Sequence, residues 1–322
     1  MALEQQTLGG FGLRHEIEER GYAEFEHLIP DETIDAAVDA YADFTLAFPD
    51  PSPETMSAML PETSKEFHKR LDDLDRSQDQ EGYWHKYRTN VEGVGKPDGY
   101  TNRSFQVSAL ARARGLHLDD DPKEFFHYSR HWLANVSRRH QENEWGPVPP
   151  EVEALETRFR PIHQKASELI LRIARDIEEV HPGIRDYFSP KDLATSPVRL
   201  LFYHPGQSES IGSGHYDKSS LTLQLAESHK GLRIAKDKAS DLELITRGAD
   251  KAAFFAGRRI AEDVDPDTPY QPAWHDIIRT NELNPGRTLS PKATEICARW
   301  ALIFFANGKD FVNPDKSLTH TR

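Results

Sequence analysis

From about residue 195 to the end of the chain, apolar and polar side chains alternate with a period of two. The runs VRLLFYH, SLTLQL, GLRIA, DLELI, AAFFAG and RWALIFFAN are short and separated by Gly, Pro, Asp and Lys clusters. Such spacing predicts antiparallel strands of a sandwich or jelly roll, since no helical period intervenes to make parallel crossovers. Upstream the period changes. After Pro149 and Pro150, the residues Val152, Leu155, Phe159, Ile162, Ala166, Ile170, Ile173 and Ile177 recur at three- and four-residue steps until HPG. This predicts one long helix with its apolar stripe on a core. Residues 14–47 read as a short helix, a strand over GYAEFEHLI, and a second helix opened by Asp31 that presents Ile34, Ala37, Val38, Tyr41 and Phe44 on one face. Between about 48 and 149 periodicity is weak, and the expectation is an irregular, partly helical region. The organisation expected is therefore an N-terminal region (1–149), a supporting helix (150–194) and a strand-rich core (195–322), all within one α+β domain.

Composition narrows the class. Apolar residues make up 37% of 322, with 16 Phe, 10 Tyr and 5 Trp, which is enough for a sizeable core. Forty basic against 53 acidic side chains leave a net charge of −13, and the basic runs are isolated, which disfavours a nucleic-acid partner. No apolar run approaches the roughly 18 residues needed to span a bilayer, and the N-terminus lacks a secretory pattern. A single cysteine, Cys297, excludes an intrachain disulfide and multi-thiolate zinc sites. It points to a reducing, cytoplasmic setting. Nucleotide-cradling, zincin and nucleophile-elbow motifs are absent.

The candidate chemistry lies in SGHYDKSSLTLQL. If this stretch is extended, His215 and Asp217 project to one side and Tyr216 to the other. Two imidazoles and one carboxylate suit non-haem iron and leave coordination positions open. His275, ahead of the apolar segment in PAWHDII, is the preferred third ligand. His229, in the polar stretch AESHKGL, is its competitor and is expected to face water. A second His-x-Asp, His117 and Asp119, sits in an acidic stretch ahead of Pro122 and reads as a solvated loop. Arg299 alternates with Ala301, Ile303 and Phe305 on one strand face, so its guanidinium is placed to enter an apolar interior and bind a carboxylate; a rim pair with Glu295 is the alternative. Arg279 and Arg287 rank below it.

In order along the chain, several segments resemble the isopenicillin N synthase-like branch of the iron(II) and 2-oxoglutarate-dependent dioxygenases. GYAEFEHLIP is similar to the family's GFF-x-V-x-NH-x-I, LPETSKEF to LP-x-E-x-K, and DPKEFFHY to D-x-KE-x-F. VRLLFYHPG stands where the family has LR-x-NYYPPC, GHYDKSSLTLQL where it has H-x-D-x-x-x-LTLL, KGLRI where it has GLQV, and RWALIFFAN where it has R-x-S-x-P-FF. The resemblance implies a double-stranded β-helix (jelly-roll) core with N-terminal helices outside it. It implies iron(II) held by His215, Asp217 and His275, and 2-oxoglutarate held at its far carboxylate by Arg299 with help from Tyr203. The implied reaction uses dioxygen to hydroxylate or otherwise oxidise a small organic molecule, with ascorbate as an assay reductant.

The departures matter. Ala301 stands where the family has serine and Leu201 where it has asparagine, so two cosubstrate hydrogen bonds are missing. About sixteen extra residues, LNPGRTLSPKATEICA, precede the Arg299 strand, and the chain ends soon after it, so no closing C-terminal helix is expected. Ala301 keeps open an oxidase of the isopenicillin N synthase kind, with Arg299 holding a substrate carboxylate; the other rival is a non-enzymatic β-barrel binding protein whose His and Asp pair is structural. Aromatic and charged residues from 81 to 135 are candidates for a lid over the site but follow no recognised code, so they do not name the substrate.

Overall fold

The computed structural model describes residues 9–47, 99–101, 123–142, 144–179, 181–204, 209–263 and 266–309. The segments LPETSKEF and EGYWHKYRTN, the pair His117 and Asp119, and the residues after 309 lie outside them.

The N-terminal elements follow the apolar spacing: α1 (Gly9–Arg20), β1 (Ala23–Glu26) and α2 (Asp31–Ala47), whose buried residues include Ile34, Val38, Tyr41 and Phe44. After β2 (Gly99–Thr101) and β3 (Lys123–Tyr128) come α3 (Trp132–Glu142) and α4 (Pro150–Glu178). Pro150 opens α4, where its missing N–H has no intrahelical acceptor to lose. All eight residues of the expected stripe are buried. Pro161 lies within the helix on its exposed side and does not end it.

Two single-turn helices, α5 (Ile184–Tyr187) and α6 (Pro190–Leu193), lead into the strand-rich half. There β4 (Val198–Tyr203), β5 (Ser210–His215), β6 (Leu221–Glu227), β7 (Leu232–Ala235), β8 (Glu243–Leu244) and β9 (Lys251–Ala256) are followed by α7 (Arg258–Asp263), β10 (Trp274–Ile278), α8 (Pro291–Ile296) and β11 (Arg299–Ala306).

The strands form two antiparallel sheets: one of seven, ordered β1-β9-β6-β11-β4-β3-β2, and one of four, ordered β5-β10-β7-β8. Alternation sorts the side chains of the larger sheet. Leu200, Phe202, Trp300, Leu302 and Phe304 join the apolar layer beneath the helices, which includes Phe159, Ile162, Ile170 and Ile173 of α4. Leu201, Tyr203, Phe255 and Ala301 point the other way and meet Ile211, Leu232, Ile234 and Ile277 of the smaller sheet. This second cluster is the interior of a double-stranded β-helix, and Arg299 starts the strand that lines it.

The structure departs from the sequence expectation at several elements. KEFFHY, within the region expected to be irregular, is the strand β3, paired with both β2 and β4, so residues before 150 contribute three strands to the large sheet. DLELI yields only the two-residue β8. The stretch before Arg299 carries α8, capped by Ser290 and tied to α2 through Lys292 and Asp43 at 2.8 Å. Among the described residues, no helix is long and apolar enough to cross a membrane.

Candidate metal centre and its carboxylate-binding neighbour

His275 on β10 lies directly opposite His215 on β5, and their ring centroids are 4.3 Å apart. Directly opposed residues in an antiparallel pair share a face, which is why two histidines 60 positions apart converge. Asp217 joins them by a different route from the one expected. β5 ends at His215, so Asp217 lies in the loop to β6 rather than two steps along the same strand. The loop, not strand alternation, aims its carboxylate. The backbone N–H of Arg258 donates to the Asp217 carbonyl at 2.9 Å, and Thr222 Oγ1 donates to Asp217 Oδ2 at 2.7 Å. Gly257 makes this approach possible, since a Cβ there would lie 2.1 Å from the Ser219 carbonyl oxygen.

With Oδ2 held by Thr222, Oδ1 faces both rings, 3.7 Å from His215 Nε2 and 3.7 Å from His275 Nε2. Each Nδ1 faces a carbonyl: Ser213 at 2.8 Å from His215, and Ala273 at 3.2 Å from His275. A carbonyl only accepts, so each Nδ1 carries the hydrogen and each Nε2 keeps its lone pair toward Asp217. Burial and the neighbouring His275 ring hold the His215 pKa below the ordinary histidine value, against the pull of Asp217. Among the described residues, these three form the one group of His, Cys, Asp or Glu side chains placed to hold a metal ion, with donor atoms within 4.8 Å of one another. Two imidazole nitrogens and one carboxylate oxygen are a donor set that would suit a divalent metal such as iron(II). Residues and group fit. His215 is half exposed while Asp217 and His275 are buried, so the triad stands at the mouth of the barrel.

His229 is not part of this set, nor does it face water. It is buried, has its Nδ1 3.1 Å from Ser228 Oγ, and has its pKa lowered by burial and by the nearby Arg299.

Arg299 is buried and stands opposite Tyr203, whose ring lies 4.8 Å from the guanidinium. Its ion-pair partner is Glu227 rather than Glu295. Glu227 reaches it through a β-bulge. Along β6 against β11, Gln224 pairs with Ile303 and Ala226 with Leu302, leaving Leu225 as the extra residue, and Glu227 then lies opposite Ala301 on the interior face. Arg247, from the loop before β9, approaches the same carboxylate at 3.1 Å. The two departures from the family pattern, Ala301 and Leu201, are direct cross-strand partners in the interior apolar cluster. Arg287 is buried against Asp31 at 2.9 Å, and Arg279 donates to the His204 carbonyl at 3.2 Å.

No family model and no curated protein sequence matches this chain. Solved structures do. A protein of Caulobacter crescentus described as belonging to the 2OG-Fe(II) oxygenase family is 17% identical, with a TM-score of 0.54 over 95% of this chain and 86% of that one. T7H of Neurospora crassa, in complex with alpha-KG, is 15% identical, with a TM-score of 0.54 over 93% of this chain and 78% of that one. The dioxygenase for auxin oxidation 1 of Arabidopsis thaliana, in complex with 2-oxoglutarate, is 12% identical, with a TM-score of 0.52 over 97% of each chain. At such identities the likeness is one of fold: this chain has the double-stranded β-helix fold of the 2OG-Fe(II) oxygenases.

Proposed function

We propose that this chain is a non-haem iron(II) dioxygenase that couples the oxidative decarboxylation of 2-oxoglutarate to the hydroxylation, or another oxidation, of a small organic molecule. The observation that carries this reading is the convergence of His215 Nε2, His275 Nε2 and Asp217 Oδ1 at the mouth of a double-stranded β-helix. The overall conversion is 2-oxoglutarate, dioxygen and substrate C–H to succinate, carbon dioxide and substrate C–OH. When bound, iron(II) supplies the dioxygen chemistry that these side chains lack.

The chain's own residues orient and shelter. Ser213 and Ala273 carbonyls fix the tautomers of the two histidines, and Thr222 keeps one oxygen of Asp217 turned toward them. Arg299, with Tyr203 against its guanidinium, receives the far carboxylate of 2-oxoglutarate. The apolar side chains of Ile211, Ile234, Phe255 and Ile277 exclude water from the interior. Structures of T7H with thymine or 5-formyluracil support a small organic substrate for this chain too. The buried Cys297, its thiol pushed up to about 12 by burial, fits a reducing cytoplasm.

One observation favours a second reading. Arg299 already has an anionic partner in Glu227, and the flanking Ala301 and Leu201 offer no hydrogen bonds, as an oxidase without 2-oxoglutarate allows. Turnover separates the two. Protein, iron(II), ascorbate and 2-oxoglutarate should release succinate, slowly even without substrate, and His275→Ala should release none. Absence of succinate, together with an iron spectrum that 2-oxoglutarate leaves unchanged, would favour the oxidase.

A further inference from the structure

Glu227 serves two guanidiniums at once. Arg299 Nη2 donates to its Oε2, which also accepts from Gln224 Nε2 at 3.0 Å, while Arg247 Nη1 lies 3.1 Å from Oε1 without hydrogen-bond alignment. All three charged side chains are buried: 3% exposed for Arg299, 2% for Arg247 and 1% for Glu227. One carboxylate against two guanidiniums leaves a buried charge of +1. Neighbouring charges do not cancel it. Arg287 is matched by Asp31, Glu24 faces Lys251 at 3.7 Å, and His229 beside Arg299 is held toward its neutral form.

The hydrogen-bond count shows the same deficit. Among the described residues, Arg299 Nε and Nη1 and Arg247 Nη1 and Nη2 are buried with no hydrogen-bond partner. A buried donor left without an acceptor costs about 1–3 kcal/mol, and an unmatched buried charge costs more. A single anionic group with two oxygens would satisfy both deficits.

We propose that Arg247 and Arg299 together form the subsite for the far carboxylate of 2-oxoglutarate, with Glu227 limiting the net charge of the two guanidiniums. The proposal rests on the oxygenase reading above and adds to it a residue, Arg247, from a different loop. It also accounts for the apolar Ala301–Leu201 pair: the hydrogen bonds that serine and asparagine would supply come instead from a second guanidinium.

Anaerobic calorimetric titration of the iron(II)-loaded full chain tests this, with 2-oxoglutarate as one probe and pyruvate, a 2-oxo acid without a far carboxylate, as the other. Arg247→Gln should weaken 2-oxoglutarate binding by about tenfold to hundredfold, the loss expected for charge-assisted hydrogen bonds, and leave pyruvate unchanged. Glu227→Gln should tighten 2-oxoglutarate by about tenfold, because it removes a competing anion. Arg247→Lys, which keeps the charge, should fall between wild type and Arg247→Gln, and replaces it if circular dichroism shows that variant unfolded. Wild-type 2-oxoglutarate affinity in Arg247→Gln, or weaker binding in Glu227→Gln, overturns the subsite while leaving the oxygenase reading intact. A wild-type protein that binds iron but not 2-oxoglutarate overturns both.

Discussion

Thr222 decides which oxygen of Asp217 meets the histidines, because its hydroxyl occupies Oδ2 and leaves Oδ1 free. Thr222→Val keeps the shape and removes the hydroxyl. Its expected effect is an iron(II) affinity lower by about tenfold to hundredfold, as for other partners that orient metal ligands, read by equilibrium binding. Gly231 has a comparable role beside Arg299: a Cβ there would lie 2.6 Å from the Ile278 carbonyl and 3.0 Å from Arg299 Nε. Gly231→Ala should cost about 1–3 kcal/mol by denaturant unfolding and weaken 2-oxoglutarate while sparing iron. At this scale the sequence makes the three histidine and aspartate positions readable, since their residue types carry the chemistry. It hides Glu227 and Arg247. Strict alternation from the inward Gln224 would turn Glu227 outward, and only the extra Leu225 reverses that, while Arg247 in TRGAD reads as an ordinary polar loop.

Elements are legible where a single period runs long enough. α4 is the clearest case, because its stripe repeats over 29 residues and faces one layer throughout. Ile170, fully buried in that stripe, should lose about 2–5 kcal/mol of stability when replaced by Ala, measured by urea unfolding with the metal site unaffected. Strands that lack clean alternation are hard to read. β5 is an edge strand with Ile211 as its one buried residue and glycines at two positions, and β3 has buried side chains on both faces near its end. The error at Asp217 follows from the first of these. With β5 hard to recognise, the His-x-Asp pair reads as one extended stretch leading into SLTLQL, whereas His215 closes β5 and Asp217 lies in the loop to β6.

The molecule as a whole joins a helix-covered sheet to a smaller sheet, and His163 of α4 lies between that helix and the larger sheet, buried against Tyr128 of β3 and Phe304 of β11 with Nε2 2.9 Å from the Ser196 carbonyl. Burial lowers its pKa to about 4. The unfolded chain, with an ordinary histidine pKa near 6.5, therefore takes up this proton more readily than the folded one. Its stabilising contribution is complete above about pH 6.5 and declines as pH falls toward 4, by about 3 kcal/mol in all. Thermal unfolding across that range should show the fall, and His163→Gln, which can still donate to the Ser196 carbonyl, should flatten it. The central claim, a metal centre built from two facing strands and one loop, is tested most directly by anaerobic titration of iron(II) into the wild-type chain and into His215→Ala, Asp217→Ala and His275→Ala. The account predicts one tightly bound equivalent in the wild type, an optical spectrum that 2-oxoglutarate then alters, and loss of stoichiometric binding in each variant with the fold retained. Full iron occupancy in the His275→Ala protein would contradict it.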